Sequence, residues 1–145
     1  MIKGLHHIAI TTQNLEALVV FYKTAFSAEV VREGGWIADN TAFNAAVGLN
    51  RQAARLTLLR VGAAHLEIFE FEQPAAGDPI QTIHSVGLTH IGFEVTDIHA
   101  EVARLKDLDV PFFSDVLTGP AGGSFVYGRD PDGNIIELVQ SPPEV

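Results

Sequence analysis

The sequence contains no cysteine. This absence excludes disulfides, thiolate metal ligands and cysteine nucleophiles, and it favours a reducing compartment, so we expect a cytoplasmic protein. Basic residues are also few: nine Lys and Arg stand against 18 Asp and Glu, which gives a net charge of −9. Because nucleic acid and anionic membranes both attract basic surfaces, neither is expected as a partner. No apolar run approaches the roughly 20 residues that span a bilayer, and no signal peptide is visible.

The residues that are present suffice for a packed interior, since 47% of the 145 residues are hydrophobic. A chain of this length fits one domain, or two small modules with a shared core. We predict a single domain, 1–145, made of module 1–72 and module 85–145. A segment rich in Pro, Gly and Ala, 73–84, forms the predicted linker between them.

The two modules nearly repeat one another. Residues 5–10 (LHHIAI) return as residues 88–93 (LTHIGF), and each copy runs into a polar residue followed by an aliphatic one, which is typical of a helix start. Each half also closes on an apolar strand that contains a glutamate, Glu67 or Glu137. Both halves therefore read β-α-β-β-β, which predicts an α+β fold built from two such modules.

The predicted elements follow from hydrophobic spacing and turn residues. In the first half they are a strand at 5–12, a helix after Asn14 and strands at 29–31, 55–61 and 64–71. In the second half they are a strand at 88–95, a helix from Asp97 to about 108 and strands at 110–113, 124–127 and 134–140.

The halves differ by an insertion. His7 and Glu67 are 60 positions apart, whereas His90 and Glu137 are 47 apart. The extra residues lie mostly in segment 34–52, which contains Trp36 and Phe43. Such an insertion usually forms a surface loop or a short helix, so the segment is either a lid over a site or a tolerated surface addition.

Alternation along the first strand of each half predicts which side chains share a face. His7 shares a face with Ala9, and His90 shares one with Gly92. The apolar residues that alternate with them along each strand should face the helices. His6 is expected to face the helix side, as a packing residue. The small neighbours of His7 and His90 leave room on the open side for a metal ion and a ligand.

Glu67 and Glu137 lie between apolar neighbours. Burying an unpaired carboxylate costs several kcal/mol, so each needs a cation or a proton. A single strand histidine or glutamate is more often structural, but the matched set of His7, Glu67, His90 and Glu137 is better explained by one bound cation. Imidazole and carboxylate ligands together suit a divalent ion such as Zn, Ni, Co, Mn or Fe.

These residues carry a resemblance to a known family. From the HIAI segment at 7–10 to the DPDGNIIEL segment at 130–138, the chain resembles the vicinal oxygen chelate superfamily of glyoxalase I, methylmalonyl-CoA epimerase, extradiol dioxygenases, and fosfomycin and bleomycin resistance proteins. The resemblance implies paired βαβββ modules that form a curled mixed sheet around a metal cleft. It places the four metal ligands on His7, Glu67, His90 and Glu137. This set is similar to that of glyoxalase I, whereas epimerases usually have Gln at the position of Glu67.

The resemblance also implies an activity: a divalent-metal-dependent lyase or isomerase of glyoxalase type. Such an enzyme chelates vicinal oxygens of a small substrate and moves a proton through an enediolate-like intermediate. Glu137 would be the main base, and Glu67 a ligand and second acid or base. A homodimer is the expected assembly, because paired modules with sheet edges tend to associate.

Three alternatives remain open. An acyl-CoA epimerase of methylmalonyl-CoA type is favoured by the GDPI segment at 77–80, which resembles the epimerase linker. An extradiol-type dioxygenase is the second. The third is a protein that binds a small apolar molecule, as resistance proteins do, with walls formed by Trp36, Phe69, Phe125 and Val139.

Overall fold

Residues 1–75 and 82–142 are described by the computed structural model. The chain divides into two units, Met1–Ala76 and Gly77–Val145, and each is described by itself. Residues 76–81, the middle of the predicted linker, lie outside the described residues, and they include the whole GDPI segment. The assignment of the whole chain to a single domain stays a prediction.

The first unit contains one four-stranded mixed sheet and two helices. Its strand order is β1-β4-β3-β2, with β1 parallel to β4 and the other pairs antiparallel. The elements in chain order are β1 (Ile8–Thr12), α1 (Leu15–Phe26), β2 (Glu29–Trp36), α2 (Thr41–Ala46), β3 (Ala54–Val61) and β4 (Ala64–Phe71).

The second unit repeats this arrangement with the order β5-β8-β7-β6, where β5 is parallel to β8. Its elements are β5 (His90–Glu94), α3 (Ile98–Lys106), β6 (Leu117–Thr118), β7 (Ser124–Arg129) and β8 (Ile135–Gln140). Two mixed sheets with few helices confirm the predicted α+β class and the βαβββ order. The longest described helix, α1, has 12 residues, and no helix in the described part of the chain is long and apolar enough to cross a membrane.

Helix α1 begins where the sequence predicted. The Asn14 side chain accepts a hydrogen bond from the backbone N–H of Ala17 at 3.0 Å, as an N-cap does. The first N–H of the helix, that of Leu15, donates to Glu70 Oε2 on β4 at 2.6 Å. The Leu15 N–H, and after it the Arg55 guanidinium, hold the pKa of the Glu70 carboxyl below its ordinary value. The start of α1 is thus tied to the last strand of its own sheet.

Helix α3 begins in the same way. The Asp97 side chain accepts from the N–H of Ala100 at 3.0 Å, and the N–H of Ile98 donates to Gln140 Oε1 on β8 at 2.8 Å. The repeat therefore extends to the side chain that receives the first free N–H of each helix. In both units this contact fixes the strand-to-helix turn that follows the histidine-bearing segment.

Removing that acceptor should destabilise its own unit. Glu70→Leu leaves the Leu15 N–H without a partner, and we expect a loss of about 1–3 kcal/mol in the free energy of unfolding. Glu70→Gln keeps an acceptor and should cost less. Because the folded-state pKa of Glu70 is lowered, its ionic contribution is present above the unfolded-state pKa and is lost as pH falls through the folded-state value. Urea unfolding of wild type and both variants between pH 7 and pH 3 measures the ionic contribution of Glu70. A difference in unfolding free energy between wild type and Glu70→Gln that does not change with pH would contradict it.

Each helix covers one face of its sheet. In the first unit the fully buried side chains include Leu18 and Tyr22 of α1 with Leu59 and Ile68 of the sheet. In the second unit Val102 and Leu105 of α3 are buried with Ile136 and Leu138 of β8. The opposite face carries the candidate site residues.

The prediction of a strand at 110–113 was wrong. The structure has only an isolated bridge there, between Phe112 and Gly128, and the strand that pairs with β7 is Leu117–Thr118 instead. Pro111 has no N–H to contribute to a ladder, which limits pairing at this point. The edge of this sheet is therefore supplied by a shorter and later segment than the apolar pattern indicated.

The predicted insertion begins inside a strand. β2 extends through Gly34 to Trp36, so only the part after Trp36 departs from the sheet, and it contains the short helix α2. Phe43 of α2 stacks on the Trp36 ring, with centroids 4.3 Å apart. Of the two forms expected for the insertion, a surface loop or a short helix, the structure has a short helix, and the role of the segment as a lid stays a prediction.

Candidate functional site

The first unit brings His7 next to Glu67. Glu67 lies on β4 directly opposite Ala9 of the parallel strand β1, and His7 Nε2 is 3.3 Å from Glu67 Oε2. The Glu67 side chain is only 9% exposed, whereas His7 is 37% exposed. A nearly buried carboxylate with an imidazole at its edge is the arrangement that a cation between them would use.

The second unit repeats this contact with His90 and Glu137. His90 Nε2 is 3.3 Å from Glu137 Oε2, and Glu137 lies opposite Gly92 of the parallel strand β5. A Cβ on Gly92 would lie 3.5 Å from Glu137 Oε2. The residue at this position is small in both units, since Ala9 lies opposite Glu67 in the first.

The other ring nitrogen of each histidine is also engaged. His7 Nδ1 lies 2.8 Å from His6 Nδ1, and His90 Nδ1 lies 2.9 Å from Thr89 Oγ1. If each Nδ1 carries the proton, its N–H donates to the residue before it and the Nε2 lone pair faces the carboxylate. This is the tautomer that a metal-bound imidazole needs, held by a partner outside the ligand set.

His6 does not lie where the sequence predicted. It is exposed rather than packed under the helix, and its ring stacks on His65 with a centroid distance of 5.6 Å. Because β1 begins only at Ile8, the alternation of a strand does not apply to His6, and that prediction was wrong. The repeat itself contained the better signal, since His6 and Thr89 occupy the same position before the two histidines.

Arg32 is a site residue that the sequence did not reveal. Its Nη2 donates to Glu67 Oε1 at 3.2 Å, so both oxygens of Glu67 have a partner. Arg32 lies on β2, two strands away from Glu67, with Leu58 between them in the register. A contact across two strands leaves no pattern in a single sequence.

Tyr127 is the corresponding partner of Glu137. It lies opposite Glu137 on β7, and its ring makes an edge-on contact with His90 at 5.4 Å between centroids. Burial, followed by the hydrogen bond to Glu137 and the charge of that carboxylate, raises the pKa of Tyr127 to about 12. Tyr127 is therefore a neutral phenol beside the Glu137 carboxylate at physiological pH.

The turn before β8 positions Glu137 along the chain. Asp130 is 4% exposed, and its Oδ1 accepts hydrogen bonds from the N–H groups of Asp132 at 3.0 Å and Asn134 at 2.8 Å. The Asn134 side chain donates to the other oxygen, Oδ2, at 2.8 Å. Asp130 therefore holds the backbone of this turn, and the turn leads directly into the strand that carries Glu137.

Each unit supplies two of the four predicted ligands. In the described residues of either unit, no group of three or more His, Asp or Glu side chains could hold a metal ion. The donor set still suits a divalent ion, because each unit presents an imidazole Nε2 3.3 Å from a carboxylate oxygen. The four-residue site needs ligands from both units and stays a prediction.

Known proteins resemble the chain over most of its length. It is 27% identical to a 2-epi-5-epi-valiolone epimerase of Actinomyces sp, over 96% of this chain and 80% of that protein. It is 27% identical to the human mitochondrial methylmalonyl-CoA epimerase, over 94% of this chain and 73% of that protein. Both relatives carry the word epimerase in their names.

Solved structures share the fold. A glyoxalase family protein from Bacillus cereus superposes with a TM-score of 0.86 at 17% identity, covering 98% of this chain and 96% of that one. The fosfomycin resistance protein FosX from Listeria monocytogenes, complexed with Mn(II) and sulfate ion, gives a TM-score of 0.65 at 21% identity, covering 99% of this chain and 96% of that one. At these identities the likeness shows the fold alone.

The sequence profile of one superfamily matches residues 4–138, which is nearly the whole chain. The match includes both His–Glu pairs and the turn before β8. It agrees with the two βαβββ units and with the folds of the solved structures. The chain therefore belongs to the glyoxalase/bleomycin resistance protein/dioxygenase superfamily.

Proposed function

We propose that the protein is a divalent-metal-dependent lyase or isomerase of glyoxalase type, which moves a proton next to two vicinal oxygens of a small substrate. The observation that carries this proposal is the matched pair of contacts: His Nε2 lies 3.3 Å from a Glu oxygen in each unit. Chance would not be expected to repeat the same donor atoms, the same register and the same Nδ1 partner position in both halves.

His7, Glu67, His90 and Glu137 would hold the ion, with Zn, Ni, Co, Mn and Fe as the candidates. The four ligands come either from one chain or from two chains of a homodimer, and we keep the homodimer as part of the proposal. When bound, the metal would supply Lewis-acid stabilisation of negative charge on the two substrate oxygens. The support from relatives is the Mn(II) named with FosX.

Glu137 is the better candidate for the base because of its partner. For Glu67 to take up a proton at Oε1, the Arg32 guanidinium would lose its acceptor, and a guanidinium cannot accept a hydrogen bond in return. Tyr127 can accept as well as donate, so it can stay bonded to Glu137 in both protonation states. We therefore assign proton transfer chiefly to Glu137, and a ligand role with a possible second proton step to Glu67.

Tyr127 and Thr89 would position this pair. The Tyr127 ring contacts the His90 edge while its hydroxyl group holds the carboxylate, and Thr89 fixes the orientation of the His90 ring through Nδ1. A base must reach its proton within hydrogen-bond distance, so side chains that restrict Glu137 and His90 contribute to the reaction without touching the substrate.

An acyl-CoA epimerase is the second candidate. Two relatives that match 96% and 94% of this chain are named epimerases, one of them for methylmalonyl-CoA. Epimerisation uses the same elementary step, removal of a proton next to a carbonyl and its return on the other face. Two carboxylates on different units suit it, since each could serve one face of the substrate.

Metal analysis followed by a substrate screen tests the proposal. Purified protein is loaded with each candidate ion, its bound metal is counted, its mass in solution is measured, and it is assayed with hemithioacetals, acyl-CoA epimers and catechols. We expect about one tightly bound ion per four-ligand site, a dimer mass and turnover in the first or second substrate class. Metal-free protein that tightly binds apolar molecules would instead support a binding protein, and ring cleavage of catechols would support a dioxygenase.

A further inference from the structure

Arg32 reaches the site because its strand is irregular. The register of β2 against β3 shifts between Val30 and Arg32, so that Arg32, rather than Val31, lies opposite Leu58. Leu58 in turn lies opposite Glu67. A bulge of this kind redirects a side chain to the other face of a strand, and bulges are frequent beside active sites. Here it moves a cation onto the face that carries His7 and Glu67.

Most of the guanidinium is free to bind something else. The Arg32 side chain is 62% exposed, and its Nη2 bonds to Glu67 Oε1. Within residues 1–75 and 82–142, its Nε and Nη1 groups have no hydrogen-bond partner. A guanidinium presents five N–H donors in a planar fork that matches a carboxylate. The unused donors are therefore suited to a second, incoming carboxylate.

The other arginines already have partners away from His7 and Glu67. Four of them form ion pairs: Arg51 with Asp39, Arg55 with Glu16 and Glu70, Arg60 with Glu29, and Arg104 with Glu101. Arg129 donates to the Gly133 carbonyl oxygen and lies over the Phe113 ring. In a chain with a net charge of −9, an anionic ligand would be repelled unless a local cation attracts it.

The neighbouring position on the same face leaves space for such a ligand. Gly34 is the next residue of β2 on this face, opposite Leu56. A Cβ built on Gly34 would lie 3.9 Å from the Leu56 side chain, an ordinary van der Waals contact, so glycine leaves this position without a side chain that the sheet could accommodate. The edge strand thus offers a charged donor beside a position where no side chain projects.

We infer that Arg32 binds a carboxylate of the substrate, which is therefore an organic anion carrying an acidic group in addition to its two vicinal oxygens. The inference rests on the proposed function, because it takes the His7–Glu67 pair to be part of the substrate-binding metal site. Arg32 holds Glu67 through Nη2 and the substrate carboxylate through its remaining donors. It is a specificity-determining residue that selects the charge of the substrate.

Binding of matched probes tests this inference on the full-length, metal-loaded protein. The probes are two dicarboxylic 2-oxo acids, 2-oxoglutarate and 2-oxoadipate, each compared with the monocarboxylic 2-oxo acid of the same carbon number. Isothermal titration should show at least one diacid binding roughly 10- to 100-fold more tightly than its partner, as expected for a hydrogen-bonded charge pair. Arg32→Gln should abolish that preference, so that the two acids of each pair bind with similar affinity, and Arg32→Lys should retain part of it.

The control is Arg104→Gln, which removes the same charge from α3 and should leave the preference intact. A diacid preference that survives in Arg32→Gln, or no binding of either diacid to the metal-loaded protein, overturns the inference. Gly34→Val adds a second test, since it fills the open position without a positive φ and should weaken diacid binding at least tenfold. Failure to bind metal would overturn the proposed function itself, whereas metal and monoacid binding without a diacid preference would overturn only the role of Arg32.

Discussion

Replacing Glu137 with glutamine should lower kcat for proton transfer by roughly 100- to 10,000-fold, the range that a positioned general base contributes. The amide keeps the size of the side chain and an oxygen that Tyr127 can bond to, so the fold of the second unit should persist. It cannot accept a proton at physiological pH. The measurement is exchange of substrate hydrogen with deuterated solvent, which follows proton transfer directly, alongside bound-metal content and the circular dichroism spectrum.

Glu67→Gln is the matched control for that variant, because it makes the same chemical change in the other unit. It should retain considerably more exchange activity, since Glu67 is assigned mainly to metal binding and a Gln carbonyl oxygen can still be a ligand. Full activity in Glu137→Gln would reassign the base while leaving the metal site standing. Equal losses in both variants would instead indicate that each carboxylate carries one of two proton steps, as an epimerase needs.

Metal affinity should respond to His90 and to Thr89 in a defined order. Thr89→Val keeps the shape of the side chain and removes the oxygen bonded to His90 Nδ1, so we expect affinity to fall by about 10- to 100-fold, as for other partners of metal-bound histidines. His90→Ala removes the ligand atom itself and should cost more. Competition with a fluorescent chelator measures both affinities.

His99→Ala provides the control for loss of an imidazole, because His99 is exposed on α3 and its removal should not change the affinity. A weaker effect from His90→Ala than from Thr89→Val would be inconsistent with His90 as a ligand. The same comparison in the first unit, His7→Ala against His6→Ala, should give the same order if the two units bind one ion in equivalent ways.

The sequence could single out the four candidate residues because strand alternation and the internal repeat are local features. Strand alternation gives the face of Glu67 and Glu137, and the repeat aligns His7 with His90. Helix starts at Asn14 and Asp97 follow from capping chemistry that depends on a few adjacent residues. Such features need no knowledge of which strands become neighbours.

The features that the sequence did not predict depend on pairing between strands. Arg32 reaches Glu67 only because of a shift in the register with β3, and Tyr127 meets Glu137 because β7 and β8 align at that residue. The edge strand β6 was assigned to the wrong segment because an apolar run at 110–113 resembles a strand whether or not Pro111 can join a ladder. Register and edge selection are decided by the assembled sheet.

The two histidine–glutamate contacts also have a consequence for the order of folding. Each joins the start of a unit to its last strand, across 60 residues in one unit and 47 in the other. Contacts between distant parts of a chain carry the largest loop-closure entropy and form slowly, after the local hairpins β3–β4 and β7–β8. In a nascent chain, the His–Glu pair of a unit therefore cannot form until the last strand of that unit has emerged and docked parallel to the first. An ion bound by both residues of a pair would show that this unit has finished folding.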